Sequence, residues 1–319
     1  MATRKMILDL DTGIDDAMAI AYAVAAPDVD LIGIVSSYGN VLTPLAAQNS
    51  LKILELLGHS DIPVYLGELY SSTTTHFDVM PISAQIHGKN GIGEVPLPTA
   101  KRQPETESGV DFLIQSAHAY GKDLILVPTG PMTNLAKALK ISPQIQDEIG
   151  NVTLMGGALT VPGNVSPVAE ANINQDPQAA DEVFESRLNL TMVGLDVTLR
   201  TLLTKSETAK WRALKTAAGE KFADIVDYYI DIYKITSPHL HGCALHDPLA
   251  VGVALDPSLV STLDINMFVD TTKEMWGRTI GDPARLTDKN PNVTVALTVD
   301  QDKYLARFMD YLTKLFSKN

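Results

Sequence analysis

Short, continuously apolar runs alternate with helical patterns from the first residues onward, and that alternation restricts what the chain can fold into. Residues 5–10 read as a strand and 15–26 as a helix that Pro27 helps to end. Residues 31–36 form the next apolar run, 44–57 a helix, and 62–66 a third run. Further short strands are predicted at 124–128, 152–155 and 190–195, with helices at 110–120, 132–139 and 177–186 lying between or beside them. Strands that are apolar throughout, and joined by helices, require burial on both faces, which a mainly parallel sheet provides. The expected fold is α/β, a mainly parallel twisted sheet with helices on both faces. The last hundred residues add helices at about 207–218, 221–235 and 303–318 and edge strands at 265–269 and 293–299. No repeat, low-complexity segment or linker interrupts the pattern, so a single domain over residues 1–319 is expected. The stretch 67–103, rich in Ser, Thr, Gly and Pro, has the length of a lid or binding loop.

A Rossmann-like sheet of this kind binds ligands beyond the C-terminal ends of its strands. Polar residues collect at those ends here: Asp9 and Asp11 after the first strand, Tyr38-Gly39-Asn40 after the second, Thr129, Gly156-Gly157 and Asp196 after later ones. The densest group is Asp9-Leu10-Asp11-Thr12-Gly13-Ile14-Asp15-Asp16, four aspartates within eight residues. Carboxylates crowded onto one rim repel one another unless a cation lies among them. Oxygen-only donors suit a hard divalent ion, Ca²⁺ or Mg²⁺, better than zinc. Helix capping accounts for Asp15 or Asp16 but not also for Asp9 and Asp11, which precede the turn.

Composition removes several partners. The formal net charge of −13 argues against nucleic acid or an anionic membrane, because both reward Lys and Arg. Cys243 is the only cysteine, so no intrachain disulfide can form and a reducing compartment is suited. The longest apolar stretch, Ala17 to Ala26, is about half of a membrane span. Cytoplasmic localisation is expected, with a small-molecule substrate.

The ordered motifs resemble those of the inosine-uridine nucleoside hydrolases. Residues 9–16 are similar to that family's DxDxGxDD opening, Tyr38-Gly39-Asn40 to its GN, and Ile86-His87-Gly88 to its IHG in the lid region. Val127-Pro128-Thr129-Gly130-Pro131-Met132-Thr133-Asn134 is similar to VPTGxxTN. Leu154-Met155-Gly156-Gly157, Gly163-Asn164, Ala169-Glu170-Ala171-Asn172-Ile173, Asp176-Pro177 and His246-Asp247-Pro248 follow in family order. The resemblance implies Ca²⁺ held by the carboxylates of Asp11, Asp16 and Asp247 and the backbone carbonyl of Thr129, with the ribose 2′- and 3′-hydroxyls and a water completing the shell. It implies hydrolysis of the N-glycosidic bond of ribonucleosides, Asp11 serving as base for that water, with inversion at C1′. Asp15 would bind the 2′-hydroxyl, Asn40 would lie near the diol, and Asn164, Glu170 and Asn172 would grip the 3′- and 5′-side. Met155 is a further expected substrate contact. His246 is the candidate acid for the departing base, or a binding group beside it. A homodimer or homotetramer is implied as well.

Some residues keep two readings. His87 touches substrate on lid closure or caps its loop. Tyr229 and Tyr233, one helical turn apart, stack on the base or belong to the core. Ala171 stands where relatives commonly carry Phe, and Gln85 where some carry His. Two other functions compete. Asp9-Leu10-Asp11-Thr12 mimics the DxDxT motif of haloacid-dehalogenase-like Mg²⁺ phosphatases, with Asp9 as nucleophile, but this leaves Asn164, Glu170, Asn172 and His246-Asp247 without a role. A catalytically silent calcium- or nucleoside-binding protein is the third.

Overall fold

Thirteen strands carry the architecture of the computed structural model, which describes residues 3–319. They are β1 (Arg4–Leu10), β2 (Val29–Ser36), β3 (Val64–Leu66), β4 (Glu105–Ser108), β5 (Leu124–Pro128), β6 (Asn151–Met155) and β7 (Leu190–Val193). Beyond these lie β8 (Leu202–Leu203), β9 (Cys243–Ala244), β10 (Val260–Ile265), β11 (Met267–Asp270), β12 (Arg278–Gly281) and β13 (Val293–Val299). Nine of them form one sheet in the order β10-β13-β7-β6-β5-β1-β2-β3-β4. Every pairing in it is parallel except that of the edge strand β10 with β13.

Alternation along β1 explains why the sheet needs cover on both faces. Met6, Leu8 and Leu10 point into one core, with the helices Ile14–Ala25, Thr43–Leu56, His246–Leu255 and Gln301–Phe316. Ile7 points into the other, beneath the helices Gly109–Tyr120, Thr133–Ile141 and Pro177–Glu185. Both cores are fully buried along this strand. The mainly parallel α/β expectation is met.

Where element bounds differ from expectation, local chemistry gives the reason. The run expected to extend to Leu195 leaves the sheet after Val193, because Gly194 caps a short helix, Leu195–Thr198. The helix expected over 207–218 ends at Arg212. Lys215 takes a left-handed φ of 56°, and the Thr216 hydroxyl accepts from Gly219 N–H (3.2 Å) to start Ala217–Thr236. The expected strand 265–269 divides at Asn266, whose carbonyl accepts from Asp282 N–H (2.8 Å). β10 therefore joins the large sheet, while β11 pairs with β12 in a separate ribbon. The long stretch 67–103 is not wholly irregular: it contains the helix Pro81–His87, with Pro81 at its first turn. No helix among the described residues is long and apolar enough to cross a membrane.

The chain runs from β1 to β2 on one side, while β5 flanks β1 on the other. That reversal leaves a crevice at the C-terminal ends of β1 and β5. Asp11 and Thr129 begin the loops on either side of it.

Candidate active site

Gly13 ends the turn after β1 and starts the helix Ile14–Ala25, so Asp15 and Asp16 fall in its first turn. Gly13 N–H donates to Asp16 Oδ2 (2.7 Å), and the Thr129 hydroxyl donates to Asp16 Oδ1 (2.8 Å). Asp247 arrives from far along the chain, in the first turn of His246–Leu255. One carboxylate oxygen from each of Asp15, Asp16 and Asp247 lies within 4.8 Å of the others, and all three residues are buried. Asp11 lies outside this trio. Its carboxylate turns to Asn40, accepting from the backbone N–H (2.7 Å) and from Nδ2 (3.0 Å).

Burial alone would push these acids upward, and their mutual repulsion adds to it. Asp11 and Asp247 are held well above the ordinary carboxylate range, by burial first and then by neighbouring aspartates. Burial raises Asp15 and Asp16 to about 6, with the Asp15 charge a further cause for Asp16. No Lys or Arg forms an ion pair with any of the four among the described residues. Asp15 Oδ1 is buried without a hydrogen-bond partner. An all-oxygen donor set with an orphaned carboxylate oxygen fits a hard cation.

Gly39 is required by this packing. Its φ is 154°, and a Cβ there would come 1.9 Å from Asp11 Oδ2. Gly39→Ala is expected to displace Asp11 and lower kcat/KM by about 100-fold or more, the scale of a misplaced catalytic group. Steady-state kinetics on the purified variant checks this.

A cavity of about 270 Å³ opens beside the trio. Of the residues singled out from sequence, Asp15, Asn40, His87, Thr129, Met155, Asn164, Glu170, Asn172, Tyr233, His246 and Asp247 all line it, whereas Asp11 and Asp16 lie behind the wall. Asn172 Nδ2 donates to the carbonyls of Thr129 (2.7 Å) and Met155 (3.1 Å), which leaves its Oδ1 for a ligand. Glu170 caps the helix Ala171–Gln175: Oε1 accepts from Asn172 N–H (2.9 Å), and Oε2 from Gly157 N–H (3.0 Å) and Ile173 N–H (3.2 Å). Two carboxylate oxygens offer about four acceptor positions, so about one remains. Burial raises Glu170 to about 7. Asn164 sits exposed on the rim, its Oδ1 accepting from Ala171 N–H (3.0 Å).

The same cavity also has an aromatic and apolar lining, from Ile82, Ile86, Leu199, Tyr229 and Tyr233. Both tyrosines face the cavity while remaining buried, so each belongs to core and wall at once. The Tyr229 hydroxyl donates to Asp15 Oδ2 (3.2 Å), and the Tyr233 hydroxyl contacts His246 Nε2 (2.8 Å). His87 is buried at the end of its short helix and accepts at Nδ1 from Ile14 N–H (3.1 Å). A backbone amide can only donate, so the ring hydrogen of His87 is on Nε2. Burial lowers both histidines to about 4, and they are neutral near pH 7.

Two rim residues have other duties. Asp196 accepts from Leu159 N–H (2.9 Å) and Thr160 N–H (2.7 Å), anchoring the loop that leads to Asn164. Asp9 is fully buried away from the cavity, its Oδ1 accepting from Asn134 Nδ2 (2.8 Å) and its pKa raised by burial to about 7. With the Asp9 carboxylate turned to Asn134, the phosphatase reading has no nucleophile aimed at the ligand site, and it leaves Asn172, Glu170 and His246 unused. Sequence reasoning missed Thr198 and Leu199 at the end of the Leu195–Thr198 turn. Their one signal was their place just past Asp196, on the ligand-binding rim.

A buried acid trio at the switch point, beside a cavity lined by both polar and aromatic side chains, is the arrangement of an α/β enzyme acting on a small ligand. The profile of the inosine-uridine preferring nucleoside hydrolases matches residues 6–306, and the chain belongs to that family. It is 37% identical over 316 residues to a probable uridine nucleosidase 2 of Arabidopsis thaliana, covering 97% of each chain. It is 33% identical to a pyrimidine-specific ribonucleoside hydrolase RihA of Shewanella, covering 97% of this chain and 96% of that one. Among solved structures it resembles a purine-preferring ribonucleoside hydrolase from Gardnerella vaginalis, at 55% identity and a TM-score of 0.98, covering 99% of this chain and 100% of that one. The protein is an N-glycosyl hydrolase acting on ribonucleosides.

Proposed function

We propose that this hydrolase, with residues 1–319 as one domain, uses calcium held by the carboxylates of Asp11, Asp16 and Asp247 and the carbonyl of Thr129. The observation that carries the reading is the convergence of buried Asp16 and Asp247 oxygens, with Asp15 beside them and no Lys or Arg paired with them among the described residues; Asp11 joins the set by the family resemblance. When bound, the cation supplies positive charge and proximity for the sugar diol and the attacking water.

The chain's own residues do the rest. Asp11 accepts the proton of the attacking water. Asn40 donates twice to Asp11 and so fixes its orientation. Asp15 offers its unpartnered Oδ1 to the 2′-hydroxyl, held in place by Tyr229. Met155, Asn164, Glu170 and Asn172 line the far side of the sugar. The base lies against Tyr233, His246, Leu199 and the lid residues Ile82, Ile86 and His87. His246 is neutral and has Nε2 on the Tyr233 hydroxyl, so it helps the base leave through Tyr233 rather than as a free imidazolium.

For base preference we propose purine ribonucleosides. The aromatic and apolar part of the lining suits a bicyclic base, and a purine-preferring hydrolase is a relative at 55% identity. The test is free ribose released from a panel of ribonucleosides, before chelation, after it, and after calcium is restored. Ribose from inosine that disappears with chelator and returns with calcium is expected. Turnover that ignores the chelator sinks the calcium reading, and release from pyrimidines alone sinks the base preference.

A further inference from the structure

Tyr233, His246 and Thr198 form a line of side chains running from the cavity wall into the core. The Tyr233 hydroxyl lies 2.8 Å from His246 Nε2, and Thr198 Oγ1 lies 2.8 Å from His246 Nδ1. Thr198 is fully buried at the end of Leu195–Thr198. The next few residues are tied to the segment before His246: β8 pairs with β9, and Leu245 N–H donates to the Thr201 carbonyl (2.9 Å). The backbone thus holds Thr198 and His246 in register from both sides.

Two hydroxyls flank one imidazole, and in the neutral form of the ring its single hydrogen can sit on either nitrogen. The Thr198 hydroxyl hydrogen decides between them. Its oxygen has one hydrogen-bond partner among the described residues, His246 Nδ1. If Nδ1–H donated to Thr198, the threonine hydrogen would be buried with nothing to accept it. If Thr198 donates, Nδ1 accepts, the ring hydrogen is on Nε2 and donates to the Tyr233 oxygen, and the Tyr233 hydrogen is freed to point into the cavity. The Thr198 and His246 hydrogens then both have acceptors, the donors run outward from the core, and the Tyr233 hydrogen is the one left for a ligand.

We propose that Thr198 is a positioning residue that sets the His246 tautomer and thereby makes Tyr233 a hydrogen-bond donor to the departing base. This rests on the base lying at the Tyr233 end of the cavity, as proposed above. Thr198→Val removes the donor at nearly constant shape. It is expected to lower kcat on inosine about tenfold, the scale of one lost hydrogen bond, with KM little changed. On p-nitrophenyl riboside, whose leaving group needs no such help, the same variant should stay within about twofold of wild type. Thr198→Ser should restore inosine turnover, and adding Tyr233→Phe to Thr198→Val should cost nothing more than Tyr233→Phe alone.

Equal losses on both substrates, or additive losses in the double variant, overturn the proposal. Nitrogen-15 NMR of labelled histidine reads the tautomer whether or not any nucleoside is cleaved. Wild-type His246 is expected as Nε2–H, and Thr198→Val as a mixture or the other tautomer. A wild-type Nδ1–H overturns the proposal even if the hydrolysis reading holds, and absence of riboside turnover with the expected tautomer sinks only the hydrolysis reading.

Discussion

Asp11→Asn is expected to lower kcat/KM for ribonucleosides by about 1000-fold while the protein stays folded, on the scale of losing a general base. The carboxylate accepts two hydrogen bonds from Asn40, and a side-chain amide of the same shape keeps only one acceptor oxygen for them. That mismatch costs stability, but removing one charge from a crowd of buried acids returns some of it. The melting temperature should therefore move little while turnover collapses. A variant turning over inosine near the wild-type rate would remove Asp11 from the mechanism. A large drop in melting temperature would show its part to be structural instead.

Chelated protein should lose stability as pH rises from about 4.5 to 7.5, and calcium should reverse that loss. Asp15 and Asp16 are raised to about 6, and Asp9 and Glu170 to about 7, each mainly by burial. The unfolded chain titrates these groups near 4. Through the window between, the native state holds more protons on these four acids than the unfolded state, and the lowered His87 and His246 offset only part of this, so stability falls as pH rises. A cation among the acids favours their ionised forms, so its contribution grows as the protons leave. At a calcium concentration about 100 times Kd the gain is about 2.7 kcal/mol, or roughly 5 °C in Tm. The calcium-induced shift should be clearly larger at pH 7.5 than at pH 5.5. Differential scanning fluorimetry with and without chelator measures both trends. Chelated protein whose Tm rises toward neutrality, with no response to calcium, would mean that the trio is neutralised in another way.

The elements predicted from periodicity are those whose apolar side chains fill the two cores, and most bounds fell within a residue or two, the helices expected at 207–218 and 221–235 excepted. β5 at Leu124–Pro128 is buried throughout, and its boundaries coincide with the pattern. The misses come where one hydrogen bond outweighs the pattern. Leu195 is as apolar as the strand before it, yet Gly194 turns the chain, and Leu195 N–H goes to the Gly157 carbonyl (2.9 Å) instead of a sheet neighbour. Asn266 likewise divides a stretch that reads as one strand. The short ribbon β8–β9 has two-residue strands and leaves no periodic trace, although it helps to hold His246.

At the site, the amino-acid order alone determined the acid-rich rim, because strand ends in a parallel sheet must lie together and four aspartates sit at one of them. It also marked Thr129, Asn172 and Asp247 through ordered motifs. Only the tertiary structure decided which acids meet: Asp15 joins Asp16 and Asp247, Asp11 turns to Asn40, and Asp9 is buried against Asn134. It likewise decided that Tyr233, His246 and Thr198 touch, from three separate elements. The physical reason is that periodicity records which face of an element is buried, whereas the direction of a polar side chain depends on partners brought from distant parts of the chain.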